Sequence, residues 1–120
     1  LKDGTHLIHM KGNETFKVAI RSLTEVSKQV LQEQNMEPGD VTWFVPHQAN
    51  IRIMEAVGNR LKLPREKVYV NIDRVGNTSA GSIPIALDEM VKGGMLKEGD
   101  VVLMSAFGAG LTWGAALCRW

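Results

Sequence analysis

At 120 residues, 44% of them apolar, and with a formal net charge of +1, the chain suits one domain around one core. Acids and bases are interspersed, no apolar run approaches the roughly 20 residues of a membrane span, and no signal peptide is visible, so nucleic-acid, membrane and secreted classes receive no support. A single cysteine, Cys118, excludes an intrachain disulfide framework and suits a reducing cytosol, and a first residue of leucine implies that the chain begins inside a longer polypeptide.

Residues 1–12, with His-Leu-Ile-His-Met at 6–10, read as the end of an edge strand or a loop. Asn13 is a candidate N-cap for a helix whose apolar positions are Phe16, Ile20, Leu23, Val26 (or Ser27), Val30 and Leu31. Glu-Pro-Gly-Asp (37–40) makes a turn, and Val41 to Val45 suits a strand buried on both faces. A second helix carries Ile53, Met54, Val57 and Leu61 and stops before Pro64; Val68 to Ile72 is expected as the next strand. Ser79 or Ser82 is the expected cap of a third helix with Ile83, Leu87, Met90 and Val91 on its apolar face, ended by Gly93-Gly94. Lys-Glu-Gly-Asp (97–100) repeats the earlier turn chemistry and launches Val101 to Phe107. Gly-Ala-Gly (108–110) then reverses the chain into a strand from Leu111 to Arg119. The order αβαβαββ predicts an α/β fold with a mostly parallel sheet and an antiparallel closing hairpin.

Two polar residues stand where apolar strands hand over to helices: His47 and Asn77. Side chains at such strand ends point into the crevice above the sheet. Alone, His47 reads as a structural histidine and Asn77 as a turn residue after Gly76. Together, an imidazole N–H and an amide NH₂ make two neutral donors, the pair needed to hold a carbonyl oxygen while it becomes an enolate. No nucleophile accompanies them, which predicts half of an active site. Cys118 is flanked by apolar residues with no helix start after it, so it reads as core packing. His6 and His9 lack further ligands, and no metal site is expected. Gly108-Ala109-Gly110 lacks the following helix of a dinucleotide motif and reads as a tight turn.

Three segments, Val-Pro-His-Gln-Ala-Asn-Ile-Arg-Ile (45–53), Gly-Asn-Thr-Ser-Ala-Gly-Ser-Ile-Pro (76–84) and Phe-Gly-Ala-Gly-Leu-Thr-Trp-Gly (107–114), resemble the C-terminal half of the β-ketoacyl-acyl-carrier-protein synthase III family. The resemblance covers nearly the whole chain and implies the C-terminal half of a thiolase-like fold over residues 1–120, with an absent N-terminal half supplying the nucleophilic cysteine. It implies an acyltransferase that condenses an acyl-CoA starter with malonyl-acyl-carrier protein, with loss of CO₂, at the start of type II fatty-acid synthesis. By the same resemblance His47 and Asn77 are catalytic and the Ala109 N–H belongs to an oxyanion hole. Phe16, Ala49 and Asn50 contact coenzyme A or its pantetheine, and Gln48, Ala49, Asn50, Ile51, Arg52 and Lys17 face the carrier protein. No permanently bound cofactor is implied; the coenzyme A thioester is a substrate, and the enzyme is expected to be a cytoplasmic homodimer, inactive as this piece alone. The competing readings are a related thiolase-fold starter synthase of secondary metabolism and a non-catalytic coenzyme A or nucleotide-binding module.

Overall fold

A computed structural model describes residues 12–120. The expected edge segment at 6–10, with His6 and His9, lies outside the described residues. Helix α1 runs Gly12–Glu33 and buries Ala19, Ile20, Leu23 and Leu31. Its inner face also takes Thr24, whose Oγ1 donates back to the Ile20 carbonyl at 2.6 Å, and Ser27 rather than Val26. Asn13, expected as the cap, sits inside the helix.

The two Gly-Asp turns are the same device used twice. Asp40 Oδ2 accepts the Glu37 N–H at 2.8 Å, and Asp100 Oδ2 accepts the Lys97 N–H at 2.9 Å. They launch β1 (Trp43–Pro46) and β2 (Val101–Gly108), which pair in parallel with Phe44 beside Leu103 and Val45 beside Met104. The hairpin closes with β3 (Thr112–Arg119), antiparallel to β2, giving the order β1-β2-β3.

Alternate side chains of the central strands feed two cores, which explains the unbroken apolar run. Phe44 and Leu103 join Leu23, Leu31, Met54 and Leu61 on the side of α1 and α2 (Ile51–Arg60). Val45 and Val102 join Tyr69, Ala86, Met90 and Leu96 on the opposite side. Each buried Val, Leu, Phe or Met side chain among these stabilises the fold by about 1.5–3 kcal/mol relative to exposure. A one-turn helix α3 (Ile72–Val75) precedes α4 (Ser82–Lys92). On α4, Ala86 and Met90 are buried with Ile83 and Leu87 beside them, while Val91, expected on this face, is 47% exposed. Neither expected serine caps α4. Gly81 holds that position, and Ser82, the first helical residue, turns its hydroxyl to the Gln48 N–H instead.

The expected strand at 68–72 is reduced to one parallel bridge, Phe44 to Val68. The cause is Pro46. Phe44 O accepts the Tyr69 N–H at 2.9 Å, so the next rung of a parallel ladder would need an N–H from residue 46 for Tyr69 O. Proline has none. Gln48 supplies the missing groups from its side chain: Nε2 donates to Pro46 O at 3.0 Å and Tyr69 O at 3.1 Å, and Oε1 accepts the Asn71 N–H at 3.0 Å. The chain leaves extended geometry at once and enters α3. Among the described helices, none is long and apolar enough to cross a membrane.

Candidate active site

His47 is set by the end of β1. Its backbone N–H continues the ladder onto Ser105 O at 2.8 Å, and its carbonyl accepts the Ala49 N–H at 2.8 Å, so the corner itself is fixed. The ring is half-buried, and loss of hydration pushes its pKa below the ordinary histidine value. The imidazole is therefore neutral near pH 7, with one nitrogen as donor.

Asn77 lies between α3 and α4, exposed to solvent. Its Oδ1 accepts the Ser79 N–H at 2.9 Å, an Asx turn. With the oxygen engaged locally, the NH₂ end is the free end, and the side chain is presented as a donor. Gly76, at φ +68°, supplies the left-handed turn that precedes it.

Both side chains line one crevice of about 1330 Å³. It gathers Phe16, Ala49, Asn50 and Ala109 with His47 and Asn77, so six residues singled out from the sequence line the same crevice. Ala109 lies outside the left-handed region; the positive φ of the glycine turn, +141°, falls on Gly110. Alanine is thus unstrained at 109. Asn50 has a structural duty as well, since its Oδ1 caps α2 by accepting the Arg52 N–H at 2.9 Å. Arg52 stands at the rim, its guanidinium 5.6 Å from the centroid of the Phe16 ring, and Ile51 and Lys17 are exposed nearby on the same two helices.

Gln48 corrects the sequence reading. Expected at the carrier-protein surface, it is fully buried, and both polar ends of its side chain are engaged inside the fold. A wall of the crevice that the sequence reading passed over is the stacked pair Phe107 and Trp113, with centroids 6.2 Å apart. Their placement on either side of the Gly-Ala-Gly turn was the available signal, because β-hairpin partners share a face. Cys118 pairs with Val102 near the other end of the hairpin and takes no part in lining the crevice.

Residues 31–120 match the family model described as the 3-oxoacyl-[acyl-carrier-protein] synthase III C terminal. The chain belongs to this family. The β-ketoacyl-[acyl-carrier-protein] synthase III of Aquifex aeolicus is 53% identical over 118 residues, which is 98% of this chain and 38% of that protein. The crystal structure of the 3-oxoacyl-[acyl-carrier-protein] synthase III from Aquifex aeolicus superposes with a TM-score of 0.93 at 55% identity, covering 94% of this chain and 37% of that one. The corresponding Thermus thermophilus structure gives 0.90 at 49% identity, covering 100% and 38%. The chain thus spans little more than a third of the relatives it matches, and its thiolase-like half-fold is shared with the synthase III structures.

Proposed function

We propose that this chain is the donor half of a starter condensing enzyme of fatty-acid synthesis. A cysteine from a companion N-terminal half takes the acyl group from coenzyme A. Malonyl-acyl-carrier protein then enters and its carboxylate C–C bond breaks, with CO₂ leaving and the electron pair moving onto the thioester. His47 and Asn77 donate to that thioester oxygen as it gains charge. The resulting carbanion attacks the acyl-cysteine carbonyl, whose oxygen rests on the Ala109 N–H, and the thiolate departs as the new C–C bond closes. Phe16, Ala49 and Asn50 border the pantetheine arm, and Ile51, Arg52 and Lys17 meet the carrier protein. The companion half, a homodimeric assembly and a cytosolic setting belong to the same reading.

The observation that carries this proposal is the pairing on one crevice of a neutral imidazole with an asparagine whose oxygen is tied down. Preorganised donors of this kind are each worth roughly 2.7–4 kcal/mol, or about 10²–10³ in rate. Asn77→Ala in the full-length polypeptide should keep the burst of cysteine acylation from acetyl-CoA and lose CO₂ release from malonyl-carrier protein by that factor. His47→Ala should fall at least as far. An Asn77→Ala enzyme that released CO₂ normally but failed to acylate would defeat the donor-pair mechanism.

A further inference from the structure

Asn77 has little of its own to hold it. It is exposed, its one side-chain hydrogen bond is local, and its segment contains residues in left-handed backbone at Gly76 (φ +68°) and Ser79 (φ +51°). Its position relative to His47 must therefore come from the ends of that segment. Both ends are tied to the same residue. The Asn71 N–H donates to Gln48 Oε1 at 3.0 Å, and the Gln48 N–H donates to Ser82 Oγ at 2.6 Å. Gln48 is covalently joined to His47. All three of the clamp residues are buried, with exposures of 0% for Gln48, 0% for Asn71 and 1% for Ser82.

The far side of the clamp is braced. Asn71 Nδ2 donates to Glu89 Oε2 at 3.1 Å, and the same carboxylate oxygen accepts from Tyr69 Oη at 2.8 Å and Arg74 Nη2 at 2.6 Å. Because Glu89 lies on α4, the network joins the start of the segment to the helix at its end.

We infer that Gln48 is a positioning residue that fixes the Asn77 amide relative to the His47 imidazole. The inference rests on the reading of those two residues as the donor pair. A buried side-chain amide that satisfies three backbone groups, on a residue whose own backbone N–H holds Ser82, fixes geometry more rigidly than loop packing can, because each broken bond leaves a buried polar group unpaired. Misplacing a catalytic group by about 1 Å costs roughly 10²-fold in rate.

Two variants test this in the full-length polypeptide. Gln48→Met keeps side-chain length and removes the amide; Ser82→Ala removes one hydroxyl and keeps the helix, so it carries the test if Gln48→Met does not fold. The expected result is a fall in kcat for CO₂ release of about 10²-fold for Gln48→Met and about tenfold for Ser82→Ala. KM for malonyl-carrier protein and the cysteine acylation burst should stay as in the parent. A raised KM with intact kcat would make Gln48 a carrier contact and overturn the inference, as would unchanged kinetics. Crystal structures of the same variants provide a readout independent of activity: the Asn77 amide should shift relative to the His47 ring, and an unchanged separation refutes the positioning role. If the parent enzyme itself released no CO₂, the proposed function would fall, and the crystallographic comparison alone would decide the role of Gln48.

Discussion

The Arg52 guanidinium lies over the ring of Phe16, 5.6 Å from its centroid, and so links the first turn of α2 to α1 across the crevice rim. Two residues assigned separately from the sequence, one to a carrier protein and one to a pantetheine arm, are one cation–π unit. Arg52→Ala should therefore raise KM for malonyl-carrier protein, and also affect acyl-CoA use through a loosened Phe16. Arg52→Lys should restore the salt-sensitive charge contact and only part of the stacking. Steady-state kinetics at low and high salt with both substrates check this; unchanged values for Arg52→Ala would return it to a solvated surface role.

The depressed pKa of His47 has a pH signature. The unfolded chain binds a proton near the ordinary value of about 6.5, while the folded ring, desolvated, resists it. In the window below about 6.5 the unfolded state holds more protons, so this contribution to stability is complete above that pH and is lost as pH falls through it. Glu89 acts lower: hydrogen bonds from Tyr69, then Asn71, hold its carboxyl below the ordinary value, so its share is lost only as pH falls through the depressed carboxylate range. Thermal unfolding across mildly acidic pH should show the first loss, and His47→Asn should flatten it. A His47→Asn curve with the parent slope would contradict the desolvation account.

Gly58 on α2 is needed for close approach. A Cβ there would stand 2.9 Å from Cγ2 of Val68, a buried β-branched side chain with little room to turn. Gly58→Ala should thus destabilise the fold by roughly 1–3 kcal/mol despite the better helix propensity of alanine, which is worth about 1 kcal/mol. Denaturant unfolding measures the effect. The double variant Gly58→Ala with Val68→Ala should recover part of the loss, since the added methyl then fills the space vacated.

As an isolated piece the chain should show no condensation of acetyl-CoA with malonyl-carrier protein. The cysteine it carries, Cys118, lies away from the crevice, with its Sγ directed to the Arg119 carbonyl at 3.5 Å. Turnover by the isolated chain that vanished in Cys118→Ser would overturn that assignment and the separate-nucleophile reading together.

What could be read from residues alone followed from strong local patterns. The Gly-Asp turns, the apolar runs at 41–45 and 101–107, and the Gly-Ala-Gly reversal each specify backbone geometry within a few residues, and the structure has them, with the first strand starting two residues later than expected, at Trp43. His47 and Asn77 could be placed on the crevice because each follows a recognisable element end, His47 after β1 and Asn77 in its local Asx turn before α4. The strand at 68–72 misled because its apolar residues satisfy a strand pattern, while its pairing depends on a proline in a neighbouring segment. Gln48 misled differently. A polar side chain beside other polar side chains reads as surface, and only the missing rung at Pro46 explains why an amide is buried there.

The substitution of an amide for that rung has a consequence for the outer margin of β1. A strand at the border of a sheet offers unpaired N–H and C=O groups on which a foreign strand can grow, a standing route to aggregation. Past Phe44 this margin offers neither: Pro46 has no N–H to give, and its carbonyl is already taken by Gln48. An incoming segment meets a sealed border. The residue that steadies the crevice from within also keeps this side of the sheet closed to strangers.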